Sequence, residues 1–299
     1  MKGKKNLGDI CFDVFIYIFF GLFTLVCTFP FYYIFINTVS ANDVVAKGLV
    51  TLIPKNIHFT NYINVLKMKA LPMAVLVSLG RTILGTTLNV LCTSFMAYVV
   101  SKRELWHRKF VYRFFIVTMY FSAGLIPWYI NMQDLHLTNN FLAYIIGVIS
   151  VFNMILVKTY IESIPESLEE SAEIDGAGYL LIFFRIILPL CTPILATITI
   201  FTAVGHWNSF TDTLILMRDP RLYTLQYLLW QYLNEAEAIS RNIRAMMAQG
   251  QMITMPAIVL TTTAVKMTIA MIVTIPVLLV YPFFQRYFVK GIMIGAVKG

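Results

Sequence analysis

Charge is scarce in this chain. Only 13% of its 299 residues are charged and 59% are hydrophobic, whereas an ordinary soluble domain carries about 25% charged residues. With a mean hydropathy of +0.75, that scarcity excludes a typical water-soluble protein. Apolar runs of about eighteen residues or more point to the bilayer. Cysteine is also sparse: Cys11, Cys27, Cys92 and Cys191 are widely spaced and mostly sit in apolar runs. They read as small hydrophobic filler, not as a disulfide or metal framework. His58, His107, His136 and His206 show no metal-ligand spacing. The chain has no G-x-x-x-x-G-K-[ST] phosphate loop and no G-x-S-x-G elbow. It also lacks a dense Lys/Arg stripe with interleaved aromatics, so a net charge of +8 suits anionic lipid and not nucleic acid. These exclusions leave a polytopic membrane protein that binds no nucleotide of its own.

The apolar pattern predicts six spans in an all-α membrane protein, over residues 12–36, 73–100, 111–132, 141–161, 180–207 and 262–284. Thr28-Phe29-Pro30 is expected to kink the first span, which is too long for a cleaved signal peptide. Lys266 interrupts the last one, and a long polar segment over 208–256 precedes it. Six spans put both termini on one side. Lys2, Lys4 and Lys5 at the N-terminus (residues 1–11) and the tight loop with Lys102, Arg103, Arg108 and Lys109 place that side in the cytoplasm. One transmembrane domain over 12–299 is expected, with a cytoplasmic loop at 162–179.

That loop concentrates Glu162, Glu166, Glu169, Glu170, Glu173 and Asp175 with no base among them. Ser163 and Glu166 form a capping-box pattern, and Pro165 suits a first helical turn. Acidic residues near a helix start are favoured by the macrodipole. Ile164, Leu168 and Ala172 recur at helical spacing as a single apolar stripe, and Gly176 follows as a natural C-terminal stop. The expectation is a short amphipathic helix, a sharp glycine turn, then the fifth span. Such a helix suits another protein's groove. The alternative, a helix resting on lipid, is disfavoured because an anionic leaflet repels acidic faces.

Glu170-Ser171-Ala172, then Gly176, then Ile186, Leu188 and Pro189 resemble the EAA-loop signature of ATP-binding-cassette importer permeases. Ser171 stands where the family usually has alanine. The longer run Glu170–Ala177 is similar to the carbohydrate-importer (CUT1-type) form of the motif. Ala203–Asn208 and the C-terminal stretch from Tyr281 to Gly299 resemble the second permease of sugar importers, a maltose-permease-G-like branch, in its oligosaccharide subgroup.

The resemblance implies a type I importer (MetI-like) fold in a bacterial cell membrane, both termini cytoplasmic. It implies four further components: a homologous second permease, a cytoplasmic ATPase dimer that holds ATP and magnesium, an external solute-binding protein, and surrounding lipid. This chain would carry no cofactor and no catalysis. Glu169, Glu170, Ser171, Ala172, Asp175, Gly176 and Ala177 would couple to the ATPase, supported by Ile186, Leu188 and Pro189.

Sugars are bound by aromatic faces and hydrogen-bonding groups, which nominates Trp207, Asn208, Trp128 and Tyr129. Aromatics at span ends also form interfacial belts. Arg81, inside the second span, is costly there and would face a cavity or a partner helix, snorkel outward, or meet an acidic sugar. The segment Asp219–Leu228 is expected as a re-entrant or surface helix on the outer side, implied by the resemblance to dock the receptor. A secondary transporter or channel for a small polar solute is the competing reading, although no internal repeat or midplane charge pattern supports it.

Overall fold

The computed structural model describes residues 7–147, 149–248, 265–280 and 282, and every regular element among them is helical. Two compact units are distinguished, one of residues 1–68 and 231–274, the other of residues 69–230 and 275–299.

In the first unit, α1 (Leu7–Thr38) continues as helix on both sides of Pro30. Most of its apolar side chains are exposed, including Phe12, Phe15, Phe19 and Phe23, as a lipid-facing helix requires. Its C-terminal end is buried instead: Ile36 packs with Val45 and Val50, with Tyr33, Val44 and Met267 against them. Polar groups at this end are satisfied locally. Asn61 Nδ2 donates to the Thr38 carbonyl at 3.0 Å and to Asn42 Oδ1 at 2.9 Å, and the Thr38 and Tyr62 hydroxyls lie 2.8 Å apart. Asn42 lies in α2 (Asn42–Ala46), and Asn61 and Tyr62 lie in α3 (Thr60–Leu66).

The second unit is organised around α4 (Ala70–Ser101). Its buried face is rich in small residues, Ala74, Ser78, Gly85, Thr86, Thr93, Ser94 and Ala97, which let neighbouring helices approach closely. Gly85 is the tightest point. A Cβ there would lie 2.8 Å from His206 Cε1 and 3.1 Å from the Tyr144 carbonyl oxygen, so only glycine fits without displacement. The neighbours of α4 include α7 (Leu142–Ile145), α8 (Val151–Ile161) and α12 (Thr192–Asn208).

Several expected spans are broken. The third consists of α5 (Arg108–Tyr120) and α6 (Leu125–Asp134), bent by 117°, with Gly124 at φ +86° ahead of α6. The fourth divides into α7 and α8. The fifth divides between Tyr179–Leu190 and Thr192–Asn208, bent by 82°. Within the former, α10 (Tyr179–Ile182) passes into a π turn (Phe183–Ile187) and then α11 (Leu188–Leu190). Pro189 lacks the N–H that would close an α-turn on the Arg185 carbonyl, and the π turn sits immediately before it.

Among the described residues two helices, Gly8–Thr38 and Ala70–Ser101, are long and apolar enough to cross a membrane alone, or up to four if each bent pair is one span. A shorter apolar helix, Val265–Val280, lies inside the expected sixth span. Residues 262–264, the 249–256 end of the long polar segment and all of the C-terminal motif except Pro282 lie outside the described residues.

Candidate functional site

Helix α9 (Ser167–Ile174) forms where the acidic loop predicted a helix. Glu169 and Glu170 occupy its first turn, as the helix dipole favours. At its end Gly176 adopts φ +82°. The Gly176 N–H donates to the Glu173 carbonyl at 3.0 Å, and the Ala177 N–H to the Ala172 carbonyl at 2.9 Å. Those paired bonds are a Schellman motif, which turns the chain sharply toward α10. The Ser171 hydroxyl donates to the Ser167 carbonyl at 2.7 Å and so folds back onto the helix.

The expected capping box does not form. The Ser163 hydroxyl donates to the Tyr160 carbonyl at 2.6 Å, closing the end of α8. Glu166 sits at the N-cap without a side-chain cap bond, because its carboxylate reaches Arg103 at 2.6 Å. The apolar stripe divides. Ile164, Ala172 and Ala177 pack on a buried cluster that includes Tyr98, Val157, Ile182 and Phe183, while Leu168 stays exposed. Ile186 and Leu188 join the same cluster, and Pro189 is exposed. The small helix is therefore seated on the ends of α4, α8 and α10.

Half of the loop's carboxylates are held by bases of the same chain. Glu169 pairs with Lys102, and Glu166 with Arg103. Glu162 takes Arg108 at 2.5 Å and Lys158 at 2.8 Å. Lys102 Nζ also lies 4.5 Å from the Tyr98 ring centroid. Burial pushes the Lys102 ammonium below its ordinary value, against the opposing pull of Glu104, Glu173 and Glu166. The basic and acidic loops together line a pocket of about 510 Å³. Glu170, Glu173 and Asp175 form no ion pair among the described residues and are exposed. Beside them Ile174 is 86% exposed, a bare apolar side chain flanked by free carboxylates.

The N-terminal half of α4 carries a second constellation. Arg81, 3% exposed, is paired with Asp212. One guanidinium nitrogen donates to Asp212 Oδ1 at 3.1 Å and to the Ser209 carbonyl at 3.2 Å. Its carbon sits 4.7 Å from the Tyr144 ring centroid. Asp212 opens α13 (Thr211–Leu216). The Tyr144 hydroxyl donates to the Leu222 carbonyl at 2.8 Å and lies 2.9 Å from the Thr213 hydroxyl. Arg81 therefore faces a partner segment of its own chain, and any role with an acidic sugar requires that ion pair to open first.

Of the other candidates, Trp207 is buried at the end of α12 and Asn208 is exposed. Trp128 and Tyr129 are half-buried against the cluster of Val77, Tyr144 and Leu216. The expected surface helix over Asp219–Leu228 starts later. Asp219 caps a 3-10 turn, Pro220–Leu222, and α14 (Leu225–Ala248) begins at Leu225, whose N–H donates to the Ser78 hydroxyl at 2.8 Å. Hydrogen bonds from Arg221 hold the Asp219 carboxyl below its ordinary value.

Sequence reasoning missed two features. The basic loop is the acidic loop's counterpart within the chain, and the opposite charge of two loops on one side was the signal for it. An aromatic stack also passed unnoticed: Tyr223 meets Tyr227 edge-on at 4.6 Å, and Trp230 stacks on Tyr227 at 5.7 Å and on Phe210 at 5.8 Å. Tyr227 and Trp230, three residues apart on one face of α14, marked it.

A family model for the binding-protein-dependent transport system inner membrane component matches residues 2–294. The chain is 35% identical over 289 residues to the polygalacturonan/rhamnogalacturonan transport system permease protein YtcP of Bacillus subtilis, covering 96% of this chain and 98% of that one. It is 32% identical to the galactooligosaccharides transport system permease protein GanQ of the same organism, covering 71% and 69%. A solved bacterial ABC transporter involved in importing the acidic polysaccharide alginate contains a chain matching with TM-score 0.82 and 31% identity, over 96% of this chain and all of that one.

Proposed function

Because the chain belongs to the family of inner membrane components of binding-protein-dependent transport systems, we propose that it forms half of the sugar pathway in an ATP-driven oligosaccharide importer. The observation that carries this reading is the seated, capped helix α9 with its outward face of Ile174, Glu170, Glu173 and Asp175. A short rigid helix with an exposed apolar residue ringed by unpaired acids fits a cleft that offers basic or amide donors. On this reading a cytoplasmic ATPase supplies that cleft and binds the nucleotide and magnesium. Its closure pushes α9, and α9 moves the ends of α4, α8 and α10 that it is packed against.

The pathway itself is assembled with a homologous permease, and an external binding protein delivers the sugar. Similarity to permeases whose names specify polygalacturonan, rhamnogalacturonan and galactooligosaccharide transport supports an oligosaccharide as cargo. Asn208 and the half-exposed Tyr223, Tyr227 and Trp230 offer hydrogen-bonding groups and ring faces toward it. Six crossings with both termini in the cytoplasm complete the arrangement.

The test replaces Gly176 in two ways. A Cβ there meets nothing within 4 Å of its own chain, so Gly176→Ala introduces only backbone strain of about 1–2 kcal/mol. Gly176→Leu adds bulk on the face a partner would cover. Uptake is expected to survive the alanine in large part and to vanish with the leucine, while both variants insert normally and only the second fails to retain the ATPase on co-purification. Normal uptake by Gly176→Leu sinks the coupling role.

A further inference from the structure

A second pocket, of about 610 Å³, opens between the first turns of α5 and the last turn of α8, lined by Arg103, Arg108, Lys109, Arg113, Lys158 and Tyr112 among others. Its charge is unbalanced. Arg103 is matched by Glu166, and Arg108 and Lys158 share the single carboxylate of Glu162. Lys109 and Arg113 have no carboxylate partner among the described residues. Five cations therefore face two anions, and Tyr112 already has the Lys158 ammonium 4.5 Å from its ring centroid.

The helix is built against its own electrostatics. Arg108 and Lys109 open α5, which has no acidic residue in its first turn and no side-chain cap from His107. Positive charge at a helix N-terminus opposes the macrodipole. Lys109 and Arg113, four residues apart, are a like-charge pair that destabilises an isolated helix. An anion between them relieves all three strains at once. The same helix exposes Phe110, Phe114 and Val117 at positions i, i+4 and i+7, one apolar face running away from the charged end. Trp106, 81% exposed, sits just before it, as aromatic residues do at a membrane interface.

We propose that this pocket binds the phosphate of an anionic phospholipid, of the phosphatidylglycerol or cardiolipin kind. Lys109 and Arg113 contact the phosphate, and the acyl chains lie along Phe110, Phe114 and Val117. Basic pockets between transmembrane helices hold such headgroups elsewhere for the same electrostatic reason. The proposal rests on α5 entering the membrane at this end, and on neither the sugar nor the ATPase.

The test titrates the purified full-length chain, with whatever subunits accompany it, against phosphatidylglycerol, phosphatidylcholine and inorganic phosphate, reading bound lipid by native mass spectrometry. Phosphatidylglycerol is expected to bind in preference to phosphatidylcholine, and Lys109→Gln with Arg113→Gln to weaken it about thirty-fold, at about 1 kcal/mol for each cation. Each single variant weakens it about five-fold by the same measure, which keeps the test available if the double variant fails to insert. The exchange Lys109→Arg with Arg113→Lys keeps the preference. Unchanged binding in the glutamine variants, or equal binding of phosphatidylcholine, overturns the site. Displacement of the lipid by millimolar phosphate overturns the lipid as occupant and assigns the pocket to a soluble anion. Loss of the ATPase from the preparation counts against the importer reading alone, because every residue of this pocket belongs to one chain.

Discussion

Arg81 shows what a single charged residue demands of a membrane helix. On insertion scales a charge near the bilayer centre costs about 2.5–3.5 kcal/mol, and here Asp212, the Ser209 carbonyl and the Tyr144 ring receive it. Removing one partner of a buried pair leaves the other uncompensated, at about 3–5 kcal/mol. Arg81→Gln and Asp212→Asn are each expected to lower the melting temperature of the detergent-purified chain, and the double variant to melt above the sum of the two losses. Strict additivity would show that the two side chains are not coupled. Gly85 makes a related demand through shape. Gly85→Ala drives a methyl into the His206 ring and toward the Tyr144 carbonyl, an overpacking cost of about 1–3 kcal/mol. Adding His206→Ala should recover part of the lost melting temperature. No recovery would mean that the Tyr144 backbone, not the ring, sets the limit. The sequence exposed Arg81 as an anomaly, because a charge in an apolar run is visible locally. It did not expose Asp212, because nothing local relates a residue in α4 to one beyond α12.

At the scale of elements, helix α9 was readable from its own letters. Acidic residues near the start, a stripe at helical spacing and a glycine stop are all short-range signals, and Gly176 adopts the left-handed conformation they imply. The N-terminal boundary was not readable. Ser163 and Glu166 have the letters of a capping box, yet the Tyr160 carbonyl three residues back claims the hydroxyl and Arg103 claims the carboxylate, so one local and one tertiary partner displace the motif. The breaks in the third and fifth expected spans fall at Gly124 and near Pro189 and Pro193, but membrane helices tolerate glycine and proline unbroken, so those letters alone did not mark a break.

The pairing of Lys102 with Glu169, together with Arg103 and Glu166, fastens α9 to the end of α4. If α9 conveys the ATPase's motion, this fastening is part of the transmission. Exposed pairs such as Arg103 with Glu166 contribute only about 0–1 kcal/mol, so the effect is expected in coupling more than in stability. Lys102→Glu should lower sugar uptake per ATP hydrolysed in reconstituted vesicles, and combining it with Glu169→Lys should restore the ratio. Equal ratios in all three proteins would confine the pair to a structural role.

For the molecule as a whole, the side-chain bonds of the second unit sort its loops into two ends. Lys102, Arg103 and Arg108 meet Glu162, Glu166 and Glu169 at one end. At the other, Asn139 Oδ1 accepts from the Arg218 and Asp219 N–H groups at 3.0 and 2.8 Å, and the Asn139 N–H donates to the Leu216 carbonyl at 2.8 Å. This sorting is independent of the charge rule that put the basic loop in the cytoplasm, so the two can be set against each other. In a background with Cys11, Cys27, Cys92 and Cys191 replaced, single substitutions Glu104→Cys, Asp175→Cys, His136→Cys and Arg218→Cys report each end. An impermeant thiol reagent added to intact cells is expected to label positions 136 and 218 and to spare 104 and 175 until the membrane is opened. The reverse pattern would invert the orientation while keeping the two ends, and with it remove α9 from reach of any cytoplasmic ATPase. Labelling that splits 104 from 175 would break the grouping itself.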